Sequence, residues 1–208
     1  MRRVVLAVAG LLVGVACLVP TSIRAQAPAT AQSKAQAKPQ PRPAGEKIKV
    51  DPATITVDDG DSVVIKWPSG DEEIVRILGI DSPEVRHVEH NIPFDQPHGP
   101  EARAFAQGAF AVANDVQILR SATLDPYGRS LAYMFVDGKN YSILTIKARL
   151  SSESVSIYGD NGLPEIAAEV TAAAKAAGPP AFEPPGAYRS RMRTQTEWMK
   201  KSGTYPDK

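Results

Sequence analysis

Asp61, Arg76, Asp81, Ser82, Glu84 and Arg129 stand in three short segments of this chain: Asp59-Gly60-Asp61-Ser62, the run from Val75 through Arg76-Ile77-Leu78-Gly79-Ile80-Asp81-Ser82-Pro83 to Glu84, and Asp125-Pro126-Tyr127-Gly128-Arg129. Carboxylates suit a hard cation and an activated water, and guanidiniums suit a phosphate through forked hydrogen bonds. Together these groups are what a metal-assisted attack on a phosphodiester requires. The same residues also read as turn formers, caps and ion pairs, so the elements that carry them must decide.

Residues 47–58 alternate, with Ile48, Val50, Ile55 and Val57 among the apolar members, and read as an edge strand interrupted at Asp51-Pro52. Asp59-Gly60 is a turn, and residues 62–67 alternate again, with Val63, Ile65 and Trp67 on one side. Pro68-Ser69-Gly70-Asp71 forms a hairpin turn, and the apolar run 73–80 predicts a buried third strand. In an antiparallel meander the start of one strand lies beside the end of the next, which brings Asp61 to Asp81. Two close carboxylates repel unless a cation or proton lies between them; Ca²⁺ or Mg²⁺ fits such oxygen donors. Glu84 follows across the stiff Pro83 and could position or deprotonate a water. Arg76 lies in the middle of an apolar strand and needs a partner or a ligand. Arg129 stands at the head of a later strand.

Gly99-Pro100-Glu101 opens a helix whose face carries Ala102, Phe105, Ala106, Ala109, Phe110 and Ala113. Residues 116–119 and 131–136 predict two more strands around a turn at 123–130, and residues 142–150 and 164–177 predict helices. No repeat is present. Five strands with a helix between the third and fourth is the order of an OB-type Greek-key barrel: an α+β, mainly β fold with about three helices. That fold binds oligonucleotides or sugars without fixing the function.

The flanks differ in kind. Arg2-Arg3 and the apolar run 4–20 read as a secretory signal peptide over residues 1–25, with cleavage after Ala25 or Ala27, and imply a secreted or periplasmic protein. Cys17, the single cysteine, lies inside that run, so cleavage after Ala25 leaves no thiol for disulfides or catalysis. The rival is lipid anchoring at Cys17, although Gly14-Val15-Ala16-Cys17 lacks the usual Leu three places before. Residues 26–45, rich in Ala, Gln, Lys and Pro, read as a disordered linker; 46–178 form the domain; 179–208 are a Pro-rich, then basic tail read as a solubilising end or a charge compensator. Trp198 and Met199 could mark a small docking helix there.

The formal net charge is +1, but residues 46–178 hold 12 basic and 20 acidic side chains, a net of −8. A nucleic-acid binder normally shows a basic face, so weak, salt-sensitive binding of long nucleic acid is expected. No long apolar stripe is left over once the core is assigned, which predicts a monomer.

The ordered motifs resemble the staphylococcal nuclease (thermonuclease) family: Val57 to Val63, Arg76 to Glu84, Gly99-Pro100-Glu101-Ala102, and Asp125-Pro126-Tyr127-Gly128-Arg129-Ser130-Leu131-Ala132-Tyr133. The resemblance implies an OB barrel and a Ca²⁺-dependent nuclease. In it Asp61 and Asp81 would be side-chain ligands of Ca²⁺, with Ser82 a ligand through its backbone carbonyl. Glu84 would orient the attacking water and act as general base, Arg76 and Arg129 would grip the phosphate, and Tyr127 would line its site. The implied reaction cleaves DNA or RNA and leaves 3′-phosphate ends.

Departures stand beside the match. Pro126 takes the place of a family lysine near the substrate phosphate, residues 151–158 match poorly with Tyr158 the nearest second tyrosine, and Gly178-Pro179-Pro180 replaces the usual end of the domain. His87, His90 and His98, all the histidines, fall in one loop that reads either as exposed or as a transition-metal site such as Zn²⁺. The alternatives to an exported nuclease are a nuclease-like binding module that no longer cleaves, and a metal-binding envelope protein.

Overall fold

Pro52 divides the first expected strand. In the computed structural model, which describes residues 42–206, Asp51 caps a single 3₁₀ turn at Pro52–Thr54 through a 3.0 Å bond from the Ala53 amide. A proline cannot donate to a ladder, so pairing stops there. Strand β1 (Lys47–Val50) pairs antiparallel with β6 (Val116–Leu124), while β2 (Ile55–Val57) pairs with β3 (Ser62–Lys66). The halves of one expected strand therefore lie at opposite ends of the sheet. The signal-peptide segment, Cys17 and most of the expected linker lie outside the described residues. At the linker's described end, Arg42 pairs with Asp71 and Glu73, and the Gly45 amide donates to Arg120 O at 3.1 Å.

Strand β4 (Glu72–Ile77) pairs antiparallel with β3 and parallel with β7 (Ser130–Val136); the sheet runs β1-β6-β7-β4-β3-β2, with β8 (Lys139–Asn140) on β7. The fold is α+β with a curled mixed sheet of the OB type, as expected, although its strands are shorter and more numerous. The expected third strand does not continue to residue 80. It turns at Gly79, whose φ of +81° strains any side chain and whose missing Cβ would stand 3.1 Å from Tyr133 and Val170. After that turn β5 (Ile80–Asp81) pairs with β9 (Ser152–Glu153).

Val63, Ile65, Val75, Ile77, Ile118 and Met134 form the core, each nearly inaccessible. Such a side chain gains roughly 1.5–3 kcal/mol from burial. Helix α1 (Gly99–Ala111) buries Ala102, Ala106 and Phe110, the face its spacing predicts, and Phe110 stacks on Tyr141 at 5.1 Å. Tyr141 opens α2 (Tyr141–Lys147), which packs on α4 (Pro164–Ala177); the short α3 (Val155–Tyr158) lies between them in the chain. Inside the barrel wall Arg120 donates to Glu73 Oε1 at 2.7 Å and to Oε2 at 2.8 Å, with both side chains 3% exposed.

The basic tail holds a long helix, α5 (Pro185–Ser202), in place of the solubilising end expected there. Tyr188, Met192, Thr196 and Met199 are buried at spacings that fall on one helical face. Tyr188 and Met192 meet Ile92 in a small apolar cluster. Tyr188 Oη donates to Phe94 O (2.8 Å), Thr196 Oγ1 to Asn91 O (3.1 Å), Lys200 Nζ to Asn91 Oδ1 (2.7 Å) and Tyr205 Oη to Val88 O (2.6 Å). The small docking helix suggested by Trp198 and Met199 is thus part of a longer one, in which Met199 is buried and Trp198 exposed. Among the described residues no helix is long and apolar enough to cross a membrane.

Candidate active site

Asp61 immediately precedes β3, and its carbonyl accepts from the Ile77 amide at 2.8 Å. The residue directly beside it is therefore Ile77, not Asp81; the turn at Gly79 carries Asp81 back to it. The buried Asp61 and Asp81 reach one guanidinium: Arg76 Nη1 pairs with Asp61 Oδ1, and Nη2 donates to Asp81 Oδ1 at 2.9 Å and to Ile80 O at 3.2 Å. The Ser82 amide donates to Asp61 Oδ2 at 2.6 Å. Asp61, Arg76, Asp81 and Ser82 thus form one cluster.

A residue that sequence reasoning left among the tail charges joins it. Arg189, on α5, donates to Asp81 Oδ2 at 3.0 Å and Oδ1 at 3.1 Å, and pairs with Glu84 Oε1. Its guanidinium links Glu84 to the Asp61–Arg76–Asp81 group.

The surroundings hold these side chains in place. Ser152 Oγ donates to Asp81 O at 2.9 Å, Ser82 Oγ bonds Ser151 Oγ at 2.6 Å, and Tyr141 Oη donates to Gly60 O at 2.8 Å. Gln96, fully buried, brackets Glu84: its side-chain oxygen accepts from the Glu84 amide at 3.1 Å, and its own amide donates to Glu84 O at 2.8 Å. Its Nε2 donates to Glu183 O at 2.7 Å, tying the Glu84 turn to the segment before α5. Gln96 had no signal in the sequence beyond lying in a polar loop.

Burial raises the Glu84 carboxyl above the usual carboxylate range, with Arg189 opposing the rise. Burial also raises Asp59, against the pull of Arg76. For Arg189 burial works against the charge, but Asp81 and Glu84 outweigh it and hold the guanidinium above its ordinary value. The charged form of Arg189 belongs to the site.

Other sequence candidates make no hydrogen bond or ion pair into this cluster among the described residues, although Arg129 stands at the head of β7 beside β4. Arg129 Nε donates to Asp125 Oδ2 at 2.6 Å, and its guanidinium lies over the Tyr127 ring at 5.6 Å; neither residue has a hydrogen bond or ion pair to Asp61, Asp81 or Glu84 among the described residues. Tyr127 and Tyr158 are exposed. His87 pairs with Asp58 at 3.3 Å and meets His90 edge-on, while His98 lies against Phe182. Among the described residues no group of three or more His, Cys, Asp or Glu side chains is arranged to hold a metal ion. Asp61 and Asp81 nonetheless share one positive partner, so two buried oxygen donors face a common point; that donor chemistry fits a hard cation.

An OB-type sheet with buried aspartates and arginines gathered where the strand ends meet defines a nuclease-like domain. The profile described as "Staphylococcal nuclease homologue" matches residues 74–177, half of the chain, and the chain belongs to that family. A thermonuclease from Staphylococcus intermedius is 31% identical over 93 residues, covering 45% of this chain and 53% of that relative, so the match spans about half of the relative's length. The family match includes Arg76, Asp81, Ser82, Glu84, Tyr127 and Arg129, and leaves Asp61 and α5 outside.

Proposed function

We propose that this protein is an exported nuclease that hydrolyses phosphodiester bonds of DNA or RNA with Ca²⁺ and leaves 3′-phosphate ends. The observation that carries this reading is the convergence of Asp61 and Asp81 on one guanidinium, with the partly desolvated carboxyl of Glu84 joined to the same network. Asp61 and Asp81, with the Ser82 carbonyl, would hold the cation, which supplies Lewis-acid stabilisation of phosphate charge and a more acidic water. Glu84, its turn fixed by Gln96, accepts the proton of the attacking water; such general-base help is typically worth about 10²–10⁴-fold. Arg76 donates two N–H groups toward the equatorial phosphate oxygens as charge builds there. Arg129 joins the phosphate by exchanging Asp125 for it, and Tyr127 lines the approach. The acting species is a monomer.

Incubating the purified protein with single-stranded DNA and with RNA at low salt, with Ca²⁺ or with chelator, tests this. Ca²⁺-dependent cleavage that is lost in Arg76→Ala and in Glu84→Gln, with Ca²⁺ affinity kept in the latter, is the expected result. Absence of cleavage by the unaltered protein overturns it and favours a non-catalytic nucleic-acid- or metal-binding role, a reading that the acidic domain and the two arginines already seated on the carboxylates would support.

A further inference from the structure

We propose that Arg189 is a substrate-binding arginine of this site, supplied by α5 from outside the segment that matches the family. The inference rests on the phosphodiester reading above. Arg189 and Arg76 are in equivalent situations: each is a guanidinium whose donors lie on the Asp81 carboxylate, approached from a different element of the fold. Arg76 comes from β4 and reaches on to Asp61; Arg189 comes from α5 and reaches on to Glu84. Arg189 Nη2 lies on Asp81 Oδ2, so a cation that takes the Asp81 oxygens would release that donor while Nη1 keeps Glu84. A phosphate bound beside the cation would then give the released donor an acceptor.

Two further observations favour a built contact. The helix turn that carries Arg189 is fixed one residue earlier by the buried Tyr188, whose hydroxyl is bonded to Phe94 O, and one turn later by the buried Met192 against Ile92. Arg189 itself is partly open to solvent, with 29% of its side chain exposed, so an incoming ligand can reach it without unfolding α5. Arg129, by contrast, is held by Asp125 on a separate turn. Arg189 is thus the arginine that accompanies Arg76 at the carboxylates.

The test uses the full chain, with Arg189→Gln, Arg189→Lys and, as a control on the same helix, the exposed Arg193→Gln. The probe is deoxythymidine 3′-phosphate, which carries the kind of end the proposed reaction leaves, titrated calorimetrically at saturating Ca²⁺; Ca²⁺ alone is titrated in parallel, and melting curves report the fold. Charge-assisted hydrogen bonds of this kind predict a loss of roughly 10- to 100-fold in nucleotide affinity and in kcat/KM for Arg189→Gln. Arg189→Lys should lose less and Arg193→Gln nothing. Ca²⁺ affinity should be equal or higher in Arg189→Gln, because a competing cation has been removed. Nucleotide affinity within twofold of the unaltered protein overturns the inference. So does a rise in kcat/KM, which would make α5 a plug over the carboxylates, and so does a fall in Ca²⁺ affinity, which would make Arg189 a structural counter-ion. If the unaltered protein cleaves neither DNA nor RNA, the nuclease reading fails while the nucleotide titration still judges Arg189; if it cleaves and Arg189→Gln equals it, this inference fails alone.

Discussion

Replacing Gly99 by alanine should damage the site although it places a better helix former in a helix. Gly99 opens α1, and a Cβ there would stand 2.1 Å from Glu84 O and 2.8 Å from Glu84 C. Real Cβ contacts essentially never fall below 3.0 Å, so the two segments must part by about 0.9 Å, and both obstacles are backbone. Neither side gives easily. Glu84 is held at its amide and its carbonyl by Gln96, and α1 is anchored by Ala102, Ala106 and Phe110 in the core. Overpacking of this kind costs about 1–3 kcal/mol, and a displacement of about 1 Å in a reacting group costs on the order of 10²-fold in rate. Gly108→Ala, in the same helix with nothing within 4 Å of its Cβ, is the control and should stabilise by about 0.5–1 kcal/mol. Thermal melting and kcat/KM on single-stranded DNA with Ca²⁺ read both variants. If Gly99→Ala melts as high as Gly108→Ala and retains full activity, the close approach of α1 to Glu84 does not position that residue.

Glu73→Gln should destabilise by about 3–5 kcal/mol in urea unfolding, because it leaves the buried Arg120 without its counter-charge, whereas replacing both by apolar residues should recover much of the loss. Burial alone would raise Glu73, but Arg120 wins and lowers it, so the pair's stabilisation is present above the unfolded-state pKa and is lost as pH falls through the lower folded value; Glu73→Gln should flatten that acid limb. The hydrogen bond from His87 to Asp58 raises His87, so its contribution is complete below the ordinary histidine range, near 6.5, and disappears as pH rises through the raised folded value; an imidazole NMR titration with Asp58→Asn should return the midpoint toward ordinary. Tyr188→Ala should release α5, seen as lost amide-exchange protection over residues 188–199 with the sheet amides unchanged.

Local pattern and long-range pairing explain what was legible. The alternation of 62–67, the Pro68 to Asp71 turn and the α1 face are short-range features, and they reappear as β3, the turn that joins it to β4, and the Ala102–Ala106–Phe110 stripe. The cluster of Asp61, Arg76, Asp81 and Ser82 was legible because a mid-strand arginine and carboxylates at strand ends need each other wherever the chain brings them. The break at Gly79 was not, because an apolar run through Ile77, Leu78 and Ile80 looks the same whether it continues straight or turns inside the core. The parting of β1 from β2 to opposite ends of the sheet depends on partners far away in sequence, Val116 to Leu119 for one and Val63 to Ile65 for the other. For α5, the count of basic residues concealed a buried stripe one of whose four members is a threonine; the spacing of Tyr188, Met192, Thr196 and Met199 was the available signal. Arg129 was read by its motif, but the Asp125 that makes the turn also captures its side chain, four residues on.

On the proposed function, the charges of the cluster would let a cation and a phosphodiester bind there together. Asp61, Asp81 and Glu84 in their charged forms carry three negative charges against two positive ones on Arg76 and Arg189. One negative charge is left over where burial already pushes Glu84 up, against Arg189 and with smaller help from Asp59 and Asp81. A phosphodiester approaching that state would meet like charge. A divalent cation changes the residue of charge from −1 to +1, and the single negative charge of a phosphodiester then neutralises it. If Arg189 is removed, the same sum ends one unit more negative with cation and substrate in place. The loss should therefore fall on the anionic ligand more than on the cation, which is the separation that the paired titrations of nucleotide and Ca²⁺ would read.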